Sequence, residues 1–163
     1  TFSNFHDAVR DGYHALPYHC YAHACDVLHT VYRTLDLTFG IRWLSTVDTY
    51  ALLIAALCHD IGHQGKTNVF LVETRHELAL RYNDNSPLEN MHCARLFEIC
   101  NLEEADIFRK IDMKEKKQAR KVCIASILHT DNVNHFEMVK RISQTYELSS
   151  EFCDMQAQSP KNL

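Results

Sequence analysis

Glycine and proline are scarce in this 163-residue chain, four and three residues respectively. Tight hairpins need residues that tolerate positive φ or preset a turn, so the shortage argues against a hairpin-rich β fold. A basic excess is lacking too: 17 Lys and Arg stand against 21 Asp and Glu, for a formal net charge of −4. That removes the electrostatic case for a nucleic-acid partner. No run is apolar enough for long enough to span a bilayer, so membrane association is not indicated within the chain. The seven cysteines (20, 25, 58, 93, 100, 123 and 153) contain no C-x-x-C pair, which disfavours a zinc ribbon or a thioredoxin-like site. Odd in number and set mostly in apolar helical patterns, they read as reduced, buried thiols, and a cytoplasmic (intracellular) setting is the expectation. No signal peptide is visible, and the chain opens at Thr1 as though already inside a helix, so an excerpt of a longer protein is expected.

Hydrophobic residues make up 46% of the chain and charged residues 23%, at a length that fits one domain with a substantial core. The periodicities are helical. Phe2, Phe5, Val9 and Tyr13 form one stripe of a first helix, broken by Pro17. A second helix is predicted from about His19 to Leu35, burying Tyr21, Ala24, Cys25, Leu28, Val31 and Leu35. Ser45 and Asp48 match a capping box, and the following Tyr50 to Cys58 is apolar on every face, as in the central helix of a bundle. Gly62 and Gly65 close it, and an apolar helix from Val69 follows. Ser86, Pro87 and Glu89 read as N-cap, N1 and N3 of a helix reaching Cys100. Asp112 and Glu115 open another through Leu128, with Lys114 to Lys121 as its solvated face. A last helix from Val133 to Tyr146 precedes a predicted loop or tail over 149–163. There is no internal repeat and no strand pattern. The predicted class is all-α, a compact multi-helix bundle.

The chemistry concentrates in Leu57-Cys58-His59-Asp60-Ile61-Gly62-His63, at the end of the apolar run. A carboxylate carried indoors beside imidazoles needs a neutralising partner. Neutral imidazole and carboxylate together suit zinc or a similar divalent ion. His19, His23 and Asp26 share a predicted helix face, either as ligands or as surface residues. Glu89 is either the N3 residue of a capping box or a functional carboxylate, and Thr130-Asp131 either a helix-terminal turn or part of a site.

The ordered blocks resolve the ambiguity. Tyr18-His19-x-x-x-His23-x-x-Asp26, His59-Asp60-x-x-His63-x-x-x-x-Asn68, Ser86-x-Leu88-Glu89-Asn90-x-His92 and Thr130-Asp131, with Glu77-Leu78-Ala79-Leu80-x-Tyr82-Asn83-Asp84 between, closely resemble the catalytic domain of class I 3′,5′-cyclic nucleotide phosphodiesterases. The resemblance runs from Gly12-Tyr13 to about His135. It implies a helical bundle of the HD-domain type, with residues 1–163 forming the N-terminal and middle portion of one catalytic domain.

It further implies hydrolysis of cyclic AMP or cyclic GMP to the 5′-monophosphate by a hydroxide bridging two divalent ions, zinc at the first site and magnesium or manganese at the second. His23, His59 and Asp60 would ligate the first ion, with Asp60 bridging. His63, Glu89 and Thr130 would hold waters of the second. His19 would be the general acid and Tyr18 would line the nucleotide pocket, with Asn68, His92 and Asp131 in support. Cys20 replaces the asparagine common in the acid's motif. In the family a fourth ligand, an aspartate, and the residues gripping the purine come from further downstream than Leu163. Asp154 lies in no matching motif. The chain alone is therefore expected to bind metal weakly and turn over little. Regulatory domains or a homodimer would belong to a longer protein. An HD-type phosphohydrolase of other nucleotides, and a non-catalytic regulatory module retaining the fold, are the alternative readings.

Overall fold

Helices account for all the regular structure among the described residues of this computed structural model, which cover 1–157, with side chains described through 147. The chain divides into a unit from Thr1 to Thr130 and a second from Asp131 onward. In the first, α1 (Phe2–Asp11) buries Phe5 and Val9. Phe2 is exposed and Tyr13 falls beyond the helix end, so only the middle of the predicted stripe is helical core. α2 (Tyr21–Leu37) starts two residues later than its periodicity suggests. Cys20 is its N-cap in extended conformation, and a tight turn in which the Cys20 N–H bonds the Tyr18 carbonyl keeps His19 off the helix. The predicted shared face of His19 and His23 is thus corrected: the two meet across a helix entry. Of the predicted apolar face, Ala24 is fully buried, while Tyr21, Cys25 and Leu28 pack half-buried against the core.

α3 (Thr46–Cys58) is the central helix. Ser45 and Asp48 form the reciprocal capping box, and Ala51 and every residue from Ile54 to Cys58 are buried. It packs against α2 and against α7 (Met113–Leu128), which opens on its own capping box from Asp112 and Glu115. α6 (Pro87–Cys100) packs on α7 and on α1. The region predicted as one apolar helix after Val69 is two short helices, α4 (Asn68–Glu73) and α5 (Glu77–Arg81). Val69 and Phe70 face outward there; Leu71, Leu78 and Ala79 instead build a small second core with Leu88 and Met91 of α6. The charged start of α7 faces solvent, with Ala119 turned inward.

In the second unit, the Asp131 carboxylate accepts the Val133 N–H and holds a 3₁₀ turn over Asn132–Asn134, which delays α8 (His135–Ala157) relative to its predicted start. α8 also runs on through most of the predicted tail. That stretch has no glycine or proline before Pro160, so helical backbone persists there without an apolar stripe. Residues 158–163, and the side chains of Cys153 and Asp154, lie outside the described residues. No described helix is long and apolar enough to cross a membrane.

Candidate metal centre

Where α3 ends, the chain leaves helical geometry through a short loop that requires positive φ at Gly62 (78°) and Gly65 (71°). This loop carries His59, Asp60 and His63, all of them buried. His59 has its orientation fixed by its own helix: Nδ1 lies 2.9 Å from the Ala56 carbonyl oxygen. A carbonyl only accepts, so Nδ1 carries a proton and the other nitrogen is left to face Asp60. His59 Nε2 sits 3.1 Å from Asp60 Oδ2, and His23 Nε2, arriving from α2, sits 3.6 Å from the same oxygen. Candidate ligand atoms of His23, His59 and Asp60 all lie within 4.8 Å of one another.

Two imidazole lone pairs turned on one carboxylate repel unless a proton or a cation lies between them. This donor set fits a divalent ion, two neutral nitrogens and a carboxylate oxygen being a common zinc combination. Burial lowers the pKa of His59, but its hydrogen bond to Asp60 and that carboxylate's charge more than offset this, and the net shift is upward. Burial raises the pKa of Asp60, and the hydrogen bond from His59 together with the charge of that ring brings it below the ordinary value. His23 is lowered by burial and by the nearby His59 charge.

Three more imidazoles stand beside this cluster. His19 and His63 are stacked, centroids 3.8 Å apart and planes within 12°, and His63 stacks in turn on His92 at 5.7 Å. His63 Nδ1 accepts the Gly65 N–H at 2.9 Å, which places its proton on Nε2. Burial and then the charge of His19 lower its pKa. His92, on α6, donates from Nδ1 to the Ile61 carbonyl at 2.7 Å, leaving Nε2 bare 3.9 Å from Asp60 Oδ1. Its burial pushes the pKa down to about 4, so the ring is neutral. Tyr18 is largely exposed, with its ring 4.4 Å from that of His23.

Glu89 is not part of a capping box with Ser86, whose side chain makes no cap bond and whose backbone is left-handed (φ 41°). Asn68 takes that place from α4: its Oδ1 accepts the Leu88 N–H and its Nδ2 donates to Glu89 Oε2. Thr130 is exposed, and its hydroxyl donates to Ile127 O at the end of α7; no hydrogen bond or ion pair among the described residues links it to the imidazole cluster. Asp131 caps the 3₁₀ turn of the second unit. Asp26 is exposed on α2.

One residue at the site was legible only as core. Tyr13 is buried, its hydroxyl donating to the Leu57 carbonyl at 2.8 Å and accepting the Asp60 N–H at 3.3 Å. The signal was its chemistry: a tyrosine on an apolar stripe brings a hydroxyl that needs a partner when buried.

Comparison with known proteins identifies the family. The family model for 3′5′-cyclic nucleotide phosphodiesterases matches residues 18–162. The chain is 38% identical over 141 residues to 3′,5′-cyclic-AMP phosphodiesterase 4 of Dictyostelium discoideum, covering 86% of this chain and 14% of that protein. It is 38% identical over 139 residues to the human high affinity cGMP-specific 3′,5′-cyclic phosphodiesterase 9A, covering 85% of this chain and 23% of the relative. The crystal structure of the phosphodiesterase domain of the RhoPDE fusion protein from Salpingoeca rosetta superposes with a TM-score of 0.89 at 37% identity, over 91% of this chain and 46% of that one. The chain therefore spans less than half of the solved domain and a smaller share of these curated relatives.

Proposed function

The chain belongs to the 3′,5′-cyclic nucleotide phosphodiesterase family, and we propose that the protein carrying it hydrolyses cyclic AMP or cyclic GMP to the 5′-monophosphate, this chain being the N-terminal and middle portion of its catalytic domain. The observation that carries the reading is the convergence of His23, His59 and Asp60 on one point, in a chain whose family acts on cyclic nucleotides. His23, His59 and Asp60 would hold a first divalent ion, zinc, and His63, Glu89 and Thr130 would orient waters around a second, magnesium or manganese. Bound there, the ions would supply Lewis acidity toward the phosphate and an acidified water as nucleophile.

The chain's own residues do the rest. Opening the cyclic ester leaves an alkoxide on the ribose, a poor leaving group at neutral pH, and proton donation in the transition state accelerates such a step by roughly 10²–10⁴-fold. His19 is the donor in this reading, its ring plane fixed by the His63 stack. Burial, and then the charge of His19, hold the His63 pKa below its ordinary value, which limits like-charge repulsion when a proton sits on His19. His92, anchored to Ile61 through Nδ1, has the supporting role, its ring holding one wall of the site with Nε2 3.9 Å from Asp60 Oδ1. Asn68 sets the direction of Glu89. Tyr18, exposed beside His23, offers a ring to the nucleotide.

The test is a substrate panel of cyclic nucleotides, nucleoside monophosphates and triphosphates on the protein carrying this chain, with product identified chromatographically and metal content measured. Cyclic substrates should yield 5′-monophosphates. His19→Ala should lower kcat sharply with metal retained, and Asp60→Ala should lose the metal. Turnover confined to non-cyclic esters would favour the HD-type phosphohydrolase reading. Metal binding and nucleotide binding without turnover would favour a regulatory module.

A further inference from the structure

We propose that Tyr13 is a positioning residue for the metal centre, its hydroxyl fixing the backbone that aims His59 and Asp60; this rests on reading the cluster as a metal site.

The argument starts from the end of α3. The last carbonyls of a helix lack intrahelical partners, and the chain beyond must find others for them. Here the Ile61 N–H bonds Cys58 O, three residues back, in place of Leu57 O four back, because the chain is already tightening into the loop. The Ala56 carbonyl is engaged by the His59 ring. Leu57 O and the Asp60 N–H therefore both fall to one phenol oxygen, which donates to the first and accepts from the second. A single side chain splices the break in the helical ladder at the residues that bear the candidate ligands.

The strap has a second fastening. The Gly62 N–H donates to Gly12 O at 3.0 Å, so the residue before Tyr13 ties the far side of the same loop. The Tyr13 ring also meets the edge of Tyr21, 6.0 Å between centroids, and Tyr21 opens α2 two residues before His23. Tyr13 is thus in contact with both segments that bring His23, His59 and Asp60 together. Groups that orient ligands without touching the ion typically contribute about 10–100-fold in metal affinity.

The test is Tyr13→Phe in the protein carrying this chain, with zinc affinity measured by competition against a chelator of known strength. It is run at a temperature where circular dichroism shows both proteins folded. Zinc affinity should fall by about tenfold or more, while Tyr21→Phe, which removes another hydroxyl bond (to His6) from the same neighbourhood, should leave it unchanged. A lower Tm with unchanged zinc affinity would reduce Tyr13 to a packing role and overturn the proposal. If Tyr13→Phe does not fold, the wild-type chain decides the matter. Coupling is reciprocal, so zinc must slow hydrogen exchange at the Asp60 amide, and unchanged exchange overturns the proposal. A wild-type protein carrying this chain that takes up no zinc at all would instead remove the metal-centre reading itself, and this inference with it.

Discussion

Asn68 donates to Glu89 Oε2 at 2.8 Å and accepts the Leu88 N–H at 3.0 Å with the same amide group. One side chain at the start of α4 therefore both caps α6 and points its first carboxylate. Asn68→Asp keeps the acceptor for Leu88 but sets a second carboxylate against Glu89. The expected loss is about 1–3 kcal/mol, the usual range when a hydrogen-bond partner is removed from a partly buried polar group. Glu89→Gln restores a donor toward Asp at position 68, so the double variant should recover part of that loss. Urea unfolding of the four proteins in the cycle measures it; strictly additive effects would mean that the two side chains are not coupled.

Gly12 is a close-approach position. A Cβ there would stand 2.8 Å from Ile61 Cδ1 and 2.9 Å from its Cγ1, and Ile61 is buried in the core beside Asp60. The backbone is ordinary for any residue (φ −76°), so the cost is steric. Gly12→Ala should destabilise by about 1–3 kcal/mol through overpacking. Ile61→Ala removes the clashing atoms, and on the Gly12→Ala background its cost should be smaller than on wild type. Thermal unfolding of both single variants and the double reads this coupling; equal cost on both backgrounds would place the strain elsewhere.

The bundle was legible because α3, α6 and α7 announce their starts locally, by capping boxes at Ser45 and Asp112 and a proline at position 87. Their apolar content then leaves few ways to bury them. The residues His19, His23, His59, Asp60, His63 and His92 were legible as an ordered set by family resemblance. The structure brings them into one neighbourhood. What could not be read was how distant segments satisfy one another's backbone. Ser86 and Glu89 have capping-box spacing, yet a left-handed Ser86 hands the cap to Asn68, eighteen residues earlier in sequence but adjacent in space. Tyr13 looked like one more apolar contact because its acceptor is the carbonyl of Leu57. Local pattern carries no record of such partners.

The buried thiols give the fold an alkaline limit. Burial pushes the pKa of Cys93 up to about 11 and those of Cys100 and Cys123 up to about 12. An unfolded chain ionises these groups near 9, so above that pH it holds fewer protons than the folded chain and stability falls as pH rises. The contribution is fully present below about pH 9 and is lost through the folded values, at roughly 1.4 kcal/mol per thiol for each pH unit. Denaturant midpoints from pH 8 to 11 should decline, and Cys123→Ala should decline less steeply than wild type. The same three thiols should resist iodoacetamide at pH 8.5 until denaturant is added. Labelling of Cys123 in the native chain at that pH would contradict its burial.

Metal addition and removal test the centre through stability as well as chemistry. His59 Nε2 and Asp60 Oδ2 lie 3.1 Å apart, and with His23 these groups would hold a divalent ion. An ion that binds only the folded state adds RT ln(1 + [L]/Kd), about 2.7 kcal/mol at a hundred times Kd. Zinc should therefore raise the Tm of the wild-type chain, and excess chelator should return it. Asp60→Asn removes the charge on which His23 and His59 converge but keeps the shape of the side chain. Its Tm should be insensitive to zinc, while His19→Gln, which leaves all three converging groups in place, should keep the full shift. Loss of the zinc response in His19→Gln as well would move His19 from proton donor to ligand.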